Sequence, residues 1–494
     1  MKGKTLREVL LYNYRYVFAY GLIALFIGYF LFWQIGTVGP GLSTSEIHSA
    51  AIHTNARETL KAPLYPLFSK LQVFSLKIFG INPYSIRIPS LIIAIATLLL
   101  LYQVMKKWFG KPTALLSTAL IATADWFLFT ARLANGAIEL SFWLVVALYS
   151  VTKILEHKNI YTLALIVSLT SLLFVPFGPY LTICLSIGIF TCRLIRDRIL
   201  EAPRTLQTVL IIIPLLGVVY LGFTLYHDPS LIRILLGVQD GIPSVSQYFK
   251  SLLVNGSSVV AVLPATNPVN GPSGVFFVRF FELIFVLFGI FMLWKTRINR
   301  LNLIVIACAI TLFVVSGLST DSTASSLLIV PSAIFITAGL RYFIHRWQKT
   351  FPKNPYARMA AIIPIVTLLL LTALQHQQSY FALWSHQTQT ANAFNYDLQL
   401  AQSELSSVPK GSTCAVVTSD QDIATLLQAS NLACQPAIQS NLKKPLKNEI
   451  LLVQAPLLPT YKNLPGVISK ALTQQSTEQS TRWVVQTVSL EQNK

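Results

Sequence analysis

The sequence predicts an all-α polytopic membrane protein of about 11 transmembrane helices, followed by a small extracytoplasmic α/β domain at the C-terminal end. Three observations predict it. Hydrophobic residues make up 53% of the 494 and charged residues only 12%, and mean hydropathy is +0.59; average soluble chains carry about 25% charge. Long apolar runs recur as far as residue 375, and the chain beyond is more polar. Lys and Arg collect in every second loop between those runs.

The runs give the elements in order. A helix needs about 20 apolar residues to cross the hydrocarbon core. Such runs lie at 16–36, 85–105, 112–130, 137–155, 160–175, 178–195, 206–226, 275–294, 301–318, 325–343 and 359–375. The fifth and sixth are short and meet at Pro176-Phe177-Gly178-Pro179. The basic loops are the N-terminus (Lys2, Lys4, Arg7, Arg15) and those holding Lys106 and Lys107, Lys153 and Lys158, Arg193 to Arg204, Lys295 to Arg300, and Arg341 to Arg358. The turns near 176 and 320 have neither Lys nor Arg. Basic loops stay in the cytoplasm, so the N-terminus is expected inside and, after eleven crossings, the tail outside. The first run lacks an A-x-A site after it and reads as an uncleaved anchor. The net charge of +19 is therefore read as topology, and no nucleic-acid partner is expected.

Two domains follow from this. Residues 1–376 form the membrane domain, with long outer segments at 37–84 and 227–274, and residues 377–494 form the outer domain. In that tail 414–418, 450–454 and 482–490 read as strands, Asp420 to Gln428 as a capped helix, and 380–407 as a long juxtamembrane helix. Cys184, Cys192 and Cys308 fall in or beside spans and read as small apolar residues. Cys414 and Cys434 lie in the outer tail, where they form either a disulfide or two buried thiols. No metal-ligand spacing appears among the cysteines and histidines, and no cofactor is expected.

The polar first outer segment carries the candidate chemistry: Glu46, His48, His53, Arg57, Lys61 and, opening the next span, Arg87. One reading is a solvated loop whose cations meet lipid headgroups. The other is a site with a carboxylate for proton transfer and cations for a phosphate. Arg279 and Glu282, at i and i+3, can pair on one helix face, either to neutralise each other or to line a lipid-phosphate site.

The order Ser45-Glu46, Lys61-Ala62-Pro63-Leu64-Tyr65, Ile78-Phe79-Gly80, Arg87-Ile88-Pro89-Ser90 has a counterpart. It resembles the first outer loop of the multi-spanning (GT-C type) lipid-linked-sugar glycosyltransferases, the protein-mannosyltransferase and aminoarabinose-transferase superfamily. There the loop runs Asp-Glu, Lys-Pro-Pro-Leu-Tyr, Phe-Gly, Arg-Leu-Pro-Ser. The stretch Ala124 to Arg132 is similar to that family's Ser-Pro-Trp-His…Ser-Arg segment. The resemblance covers about residues 10–160, and only hydropathy beyond.

What the resemblance implies is a glycosyltransferase of a prokaryotic plasma membrane. It would take a sugar from a polyprenyl-phosphate donor and pass it, with inversion, to an extracytoplasmic acceptor. Lys61, Arg87 and Arg132 would face the phosphate, with Arg279 a further wall of the lipid site. Ser45 and His48 would contribute to substrate binding. The chain also departs from the pattern. The family's first-loop Asp, its expected base, is Ser45, and a Ser has no useful proton affinity at neutral pH. A second family carboxylate falls on Gly136 or Ala137, and the family's His-Pro-Leu-Arg-like run before Pro331 on Ser322 to Ser326. Glu46 is then expected as the remaining acid or base, with Asp125 or Glu139 as supporting carboxylate. The alternatives are a catalytically degenerate relative that binds lipid-linked sugar or escorts a partner, and a transporter. The latter predicts internal repeats with broken spans in matching halves, a symmetry the sequence does not display.

Overall fold

The computed structural model describes residues 15–37, 41–54, 63–239, 241–260, 268–269, 271, 279–296, 300–319, 324–351, 354–360, 362–395, 402, 405, 414–418, 420–430, 437–439, 450–454, 467–471 and 483–488. Helix α1 (Arg15–Phe32) leads into the first outer segment, which holds α2 (Thr44–Thr54) and α3 (Pro66–Phe79). Helix α4 (Pro83–Phe109) opens on a capping box: Asn82 Oδ1 accepts from the Ser85 N–H at 2.8 Å, and Ser85 Oγ accepts from the Asn82 N–H at 3.1 Å. Pro89, inside α4, has no N–H to give to the Ser85 carbonyl. The Ser75 hydroxyl, from α3, donates to that carbonyl at 2.7 Å, so the proline ties α3 to α4.

Further helices are α5 (Lys111–Thr123), α6 (Asp125–Ala131), α7 (Ile138–Leu155), α8 (Tyr161–Leu172), α9 (Gly178–Thr191), α10 (Arg193–Leu200), α11 (Arg204–His227), α12 (Ser230–Leu236), α13 (Val245–Val260), α14 (Phe280–Lys295), α15 (Arg300–Ser316), α16 (Ile329–Thr350) and α17 (Ile362–Gln377). Helices α4, α7 and α16 lie at the centre of the buried core, and α11 stands outside it with no buried residue. Helices α14 and α16 pack closely where Gly289 meets Phe335 and Gly339 meets Phe285; a Cβ on either glycine would collide with the facing carbonyl.

Each of the eleven apolar runs falls on a helix or a bent pair. Among the described residues α4, α7 and α11 are long and apolar enough to cross a membrane unaided, and two bent pairs bring the number to five. The bends correct the sequence expectation of straight spans at 112–130 and 178–195. Helices α5 and α6 turn by 66° at Ala124, and α9 and α10 by 87° at Cys192; both hinge residues have extended ψ.

The expected helix over 380–407 is also broken. Helix α17 continues through a π-helical turn (Gln378–Leu383) and a 3-10 turn (Trp384–His386), then ends at the extended Gln387. In the tail, strands β1 (Cys414–Val417), β2 (Ala437–Gln439), β3 (Ile450–Gln454), β4 (Val467–Ala471) and β5 (Trp483–Val488) form one sheet in the order β2-β1-β3-β5-β4. β1 runs parallel to β2 and β3, and β5 antiparallel to β3 and β4. β2 and β4 are additional to the three strands read from the sequence. Helix α18 (Gln421–Ala429) crosses from β1 to β2 and packs on α2. Its N-cap is Asp420, whose Oδ1 accepts from the Asp422 and Ile423 N–H groups. The tail thus contacts the segment that follows α1. Cys434 lies outside the described residues, as do Arg57 and Lys61.

Candidate functional site

Two adjoining cavities of about 550 and 810 Å³ open beside α2. They share the walls Ser45, Tyr65, Asn135, Pro176, Phe177 and Gln239. The smaller lobe runs between Thr130, Leu140 and Ser326; the larger reaches His48, His53, Arg233 and Gln247. Ser45 is exposed and lines both, at the place where the family pattern has its Asp. Among the described lining residues there is no Asp or Glu, and the one Lys or Arg is Arg233, on α12.

The expected carboxylates lie elsewhere. Ser43 and Glu46 form the capping box of α2: the Ser43 N–H donates to Oε2 at 2.9 Å, and the Glu46 N–H donates to Ser43 Oγ at 3.3 Å. Arg87 forks onto Glu46 through Nε at 2.8 Å and Nη2 at 3.1 Å, and the Ala134 N–H donates to Oε1 at 3.1 Å. Glu46 is wholly buried. Burial raises its pKa, but Arg87 and the backbone donors outweigh burial and hold it below the ordinary carboxylate value. Arg87, expected to face a phosphate, is 1% exposed and also donates to the Ile35 and Gly41 carbonyls at 2.9 and 2.8 Å.

Glu139 caps a helix that is not its own. Its carboxylate accepts from the Leu67 and Phe68 N–H groups at 3.1 and 3.0 Å, the first turn of α3, and from Trp143 Nε1 at 2.9 Å. Tyr65, the N-cap of α3, is left-handed and offers no side-chain cap, so an acid from α7 supplies it. Arg132 and Glu139 do not share one helix. The chain instead leaves α6 at Ala131, turns at Gly136 (φ +74) and starts α7 at Ile138. The Tyr65 ring lies so close to Gly136 that a Cβ there would clash. Arg132 points away from both cavities: it donates to the Phe30 and Trp33 carbonyls that α1 leaves unsatisfied and lies 5.1 Å from the Tyr380 and Phe381 rings.

Asp125, Arg279, His376 and Glu282 join in a buried relay. Arg279 Nη2 meets Asp125 Oδ2 at 2.7 Å; His376 Nδ1 lies 2.9 Å from Asp125 Oδ1, and its Nε2 3.1 Å from Glu282 Oε1. The expected Arg279–Glu282 side-chain pair is replaced, because Glu282 caps the Arg279 N–H at 3.1 Å and frees the guanidinium for Asp125. Doubly protonated, His376 balances the relay at two acids and two cations. It joins α6, α14 and α17 and touches neither cavity.

Of the candidate residues read from the sequence, the structure thus brings Ser45, His48 and His53 to the cavity. Exposed His48 also meets Asp422 of α18 through Nδ1 at 2.7 Å. Sequence reasoning missed Arg233, Asn135 and Gln239 as cavity walls, and no local pattern marks them. It also missed the Ser43-x-x-Glu46 cap, which the S-x-x-E spacing could have shown.

Residues 61–220 match the family described as dolichyl-phosphate-mannose-protein mannosyltransferase. No curated protein matches the chain by sequence. Among solved structures, ArnT from Cupriavidus metallidurans bound to undecaprenyl phosphate is similar over 95% of this chain and 98% of its own, with a TM-score of 0.55 at 12% identity. The archaeal oligosaccharyltransferase AglB from Archaeoglobus fulgidus, in complex with an inhibitory peptide and a dolichol-phosphate, is similar over 91% and 70%, with a TM-score of 0.50 at 14% identity. The chain has a GT-C fold. The first outer loop resembles that of the GT-C glycosyltransferases, and the structural likeness extends beyond residue 160, where only hydropathy had pointed. At such identities the likeness is one of fold. Glu46, Asp125 and Glu139 are buried in ion pairs and helix caps, away from the two cavities.

Proposed function

We propose that this protein binds a polyprenyl-phosphate-linked sugar at the outer face of a prokaryotic plasma membrane and transfers the sugar to an extracytoplasmic glycan, lipid or protein. The observation that carries this reading is the two-lobed cavity beside α2, in a chain whose fold matches ArnT bound to undecaprenyl phosphate along nearly the whole length of both. One lobe takes the sugar and the other the acceptor. Arg233 meets the phosphate as its negative charge grows on leaving. Lys61, by the family pattern, joins it from the segment before Tyr65. The N-terminus is cytoplasmic, about 11 helices cross the bilayer, and the α/β unit at 377–494 covers the acceptor side through α18.

A second reading is favoured by Ser45 and by the burial of Glu46, Asp125 and Glu139: a relative that holds the donor without transferring its sugar. Turnover distinguishes the two. Detergent-purified protein is incubated with undecaprenyl-phosphate mannose, glucose and aminoarabinose, and both binding and release of undecaprenyl phosphate are measured. The first reading expects turnover in the parent. The second expects binding without turnover, with activity appearing only in Ser45→Asp, a carboxylate restored on the wall common to both lobes. A gain of about 10²-fold or more over the parent is the size expected for a restored base.

A further inference from the structure

His53 is the last-turn residue of α2, eight positions beyond Ser45 and on the same helix face, about 12 Å farther along at 1.5 Å per residue. It is 6% exposed, it lines the larger lobe, and its buried Nε2 has no hydrogen-bond partner among the described residues. The other ring nitrogen is fixed. Gln72, fully buried on α3, donates its amide N–H to the Ile86 carbonyl at 3.3 Å, so its Oε1 is an acceptor. Oε1 receives the Ser49 hydroxyl at 2.7 Å and faces His53 Nδ1 at 2.5 Å. Nδ1 must therefore carry the proton, which leaves the lone pair on Nε2. An amide partner, unlike a carboxylate, adds no charge to favour the imidazolium.

We propose that His53 is the catalytic base of this chain, taking through Nε2 the acceptor proton that Ser45 cannot take. This rests on the transfer reading above. The acceptor hydroxyl gives its proton to Nε2 while its oxygen bonds to the anomeric carbon. The bond from that carbon to the phosphate oxygen breaks, its electron pair stays with the departing polyprenyl phosphate, and His53 then passes its proton to water at the cavity mouth. His48, five residues earlier on α2, and Arg233 are the ionisable neighbours that line this lobe with Tyr65, and His48 disfavours a charged His53. Burial first, then His48, places the His53 pKa below the ordinary histidine value, so Nε2 is free at neutral pH.

The test uses the full-length protein in lipid nanodiscs. Release of undecaprenyl phosphate from the three undecaprenyl-phosphate sugars is measured with water as acceptor, beside equilibrium binding of undecaprenyl phosphate. The proposal expects His53→Gln to lower kcat by about 10²–10⁴-fold with binding unchanged. It also expects Gln72→Glu to move the acid limb of the kcat/KM profile to higher pH, because a carboxylate on Nδ1 favours the imidazolium. Unchanged turnover in His53→Gln overturns it. If that variant does not fold, an unmoved acid limb in Gln72→Glu overturns it. A parent that binds undecaprenyl phosphate but turns over none of the sugars overturns the role of His53 and leaves donor binding standing. A parent that does neither overturns the transfer reading itself.

Discussion

Glu46 and Arg87 show how one residue's environment sets its work. A first-loop carboxylate in a chain with a GT-C fold invites a catalytic role, yet both oxygens of Glu46 are engaged by Ser43, Arg87 and Ala134. Removing one partner of such a pair leaves the other charge buried and uncompensated, at a cost of about 3–5 kcal/mol. Glu46→Gln should therefore lower the thermal midpoint of the detergent-solubilised protein sharply, and activity per folded molecule should fall far less. A normal midpoint with lost turnover would return Glu46 to catalysis. The pH dependence has a definite sign. The folded-state pKa of Glu46 is depressed, so its contribution is present above the unfolded carboxylate value and is lost as pH falls through the folded one. Thermal scans from pH 7 down to pH 3 should show the parent losing stability on the acid side, and Glu46→Gln losing less.

At the scale of elements, this fold repeatedly completes one helix with groups from another. Helix α3 begins on a left-handed Tyr65 and takes its cap from Glu139 of α7. The Ser85 carbonyl that Pro89 leaves open receives Ser75 from α3. The C-terminal carbonyls of α1 receive Arg132. Glu139→Gln keeps an acceptor for one N–H but presents an amide donor to the other. The expected cost is about 1–3 kcal/mol, read as a lower melting temperature and faster proteolysis ahead of Pro66. A melting temperature unchanged within error would mean that the cap is dispensable. Gly136 beneath Tyr65 adds a constraint: the second family carboxylate cannot be restored at that position without moving the ring.

At the scale of the whole molecule, α18 of the tail packs on α2. The His48–Asp422 pair itself is exposed, at 62% and 38% of the side chains, and an exposed pair is worth about 1 kcal/mol or less. Asp422→Ala should leave stability nearly unchanged. The docking should nevertheless be captured by cysteines placed at 48 and 422 and bridged with a short bis-maleimide. Cross-linking in intact cells by a membrane-impermeant reagent also fixes the side on which both lie, and labelling only after lysis would reverse the proposed orientation.

The sequence by itself determined the membrane class, the positions of the helices and the likeness of the first loop to GT-C relatives. These rest on periodicity, hydropathy and short motifs, which are local properties of the chain. The Ser45 departure was legible too, because it is a matter of residue identity. Only the tertiary structure decided what each charge does. Glu46 and Arg87 are 41 residues apart, Glu139 and Phe68 71, and Asp125 and Arg279 154. In a low-dielectric interior each charge must find a partner or a cap. Which partner it finds depends on how helices distant in sequence cross, and no local pattern encodes that. The bends at Ala124 and Cys192 escaped notice for the same reason, since hydropathy counts residues and is blind to direction. His53 was visible as one of several polar groups in a loop. It stood out only once Gln72 had fixed its proton and the cavity wall had left Nε2 without a partner.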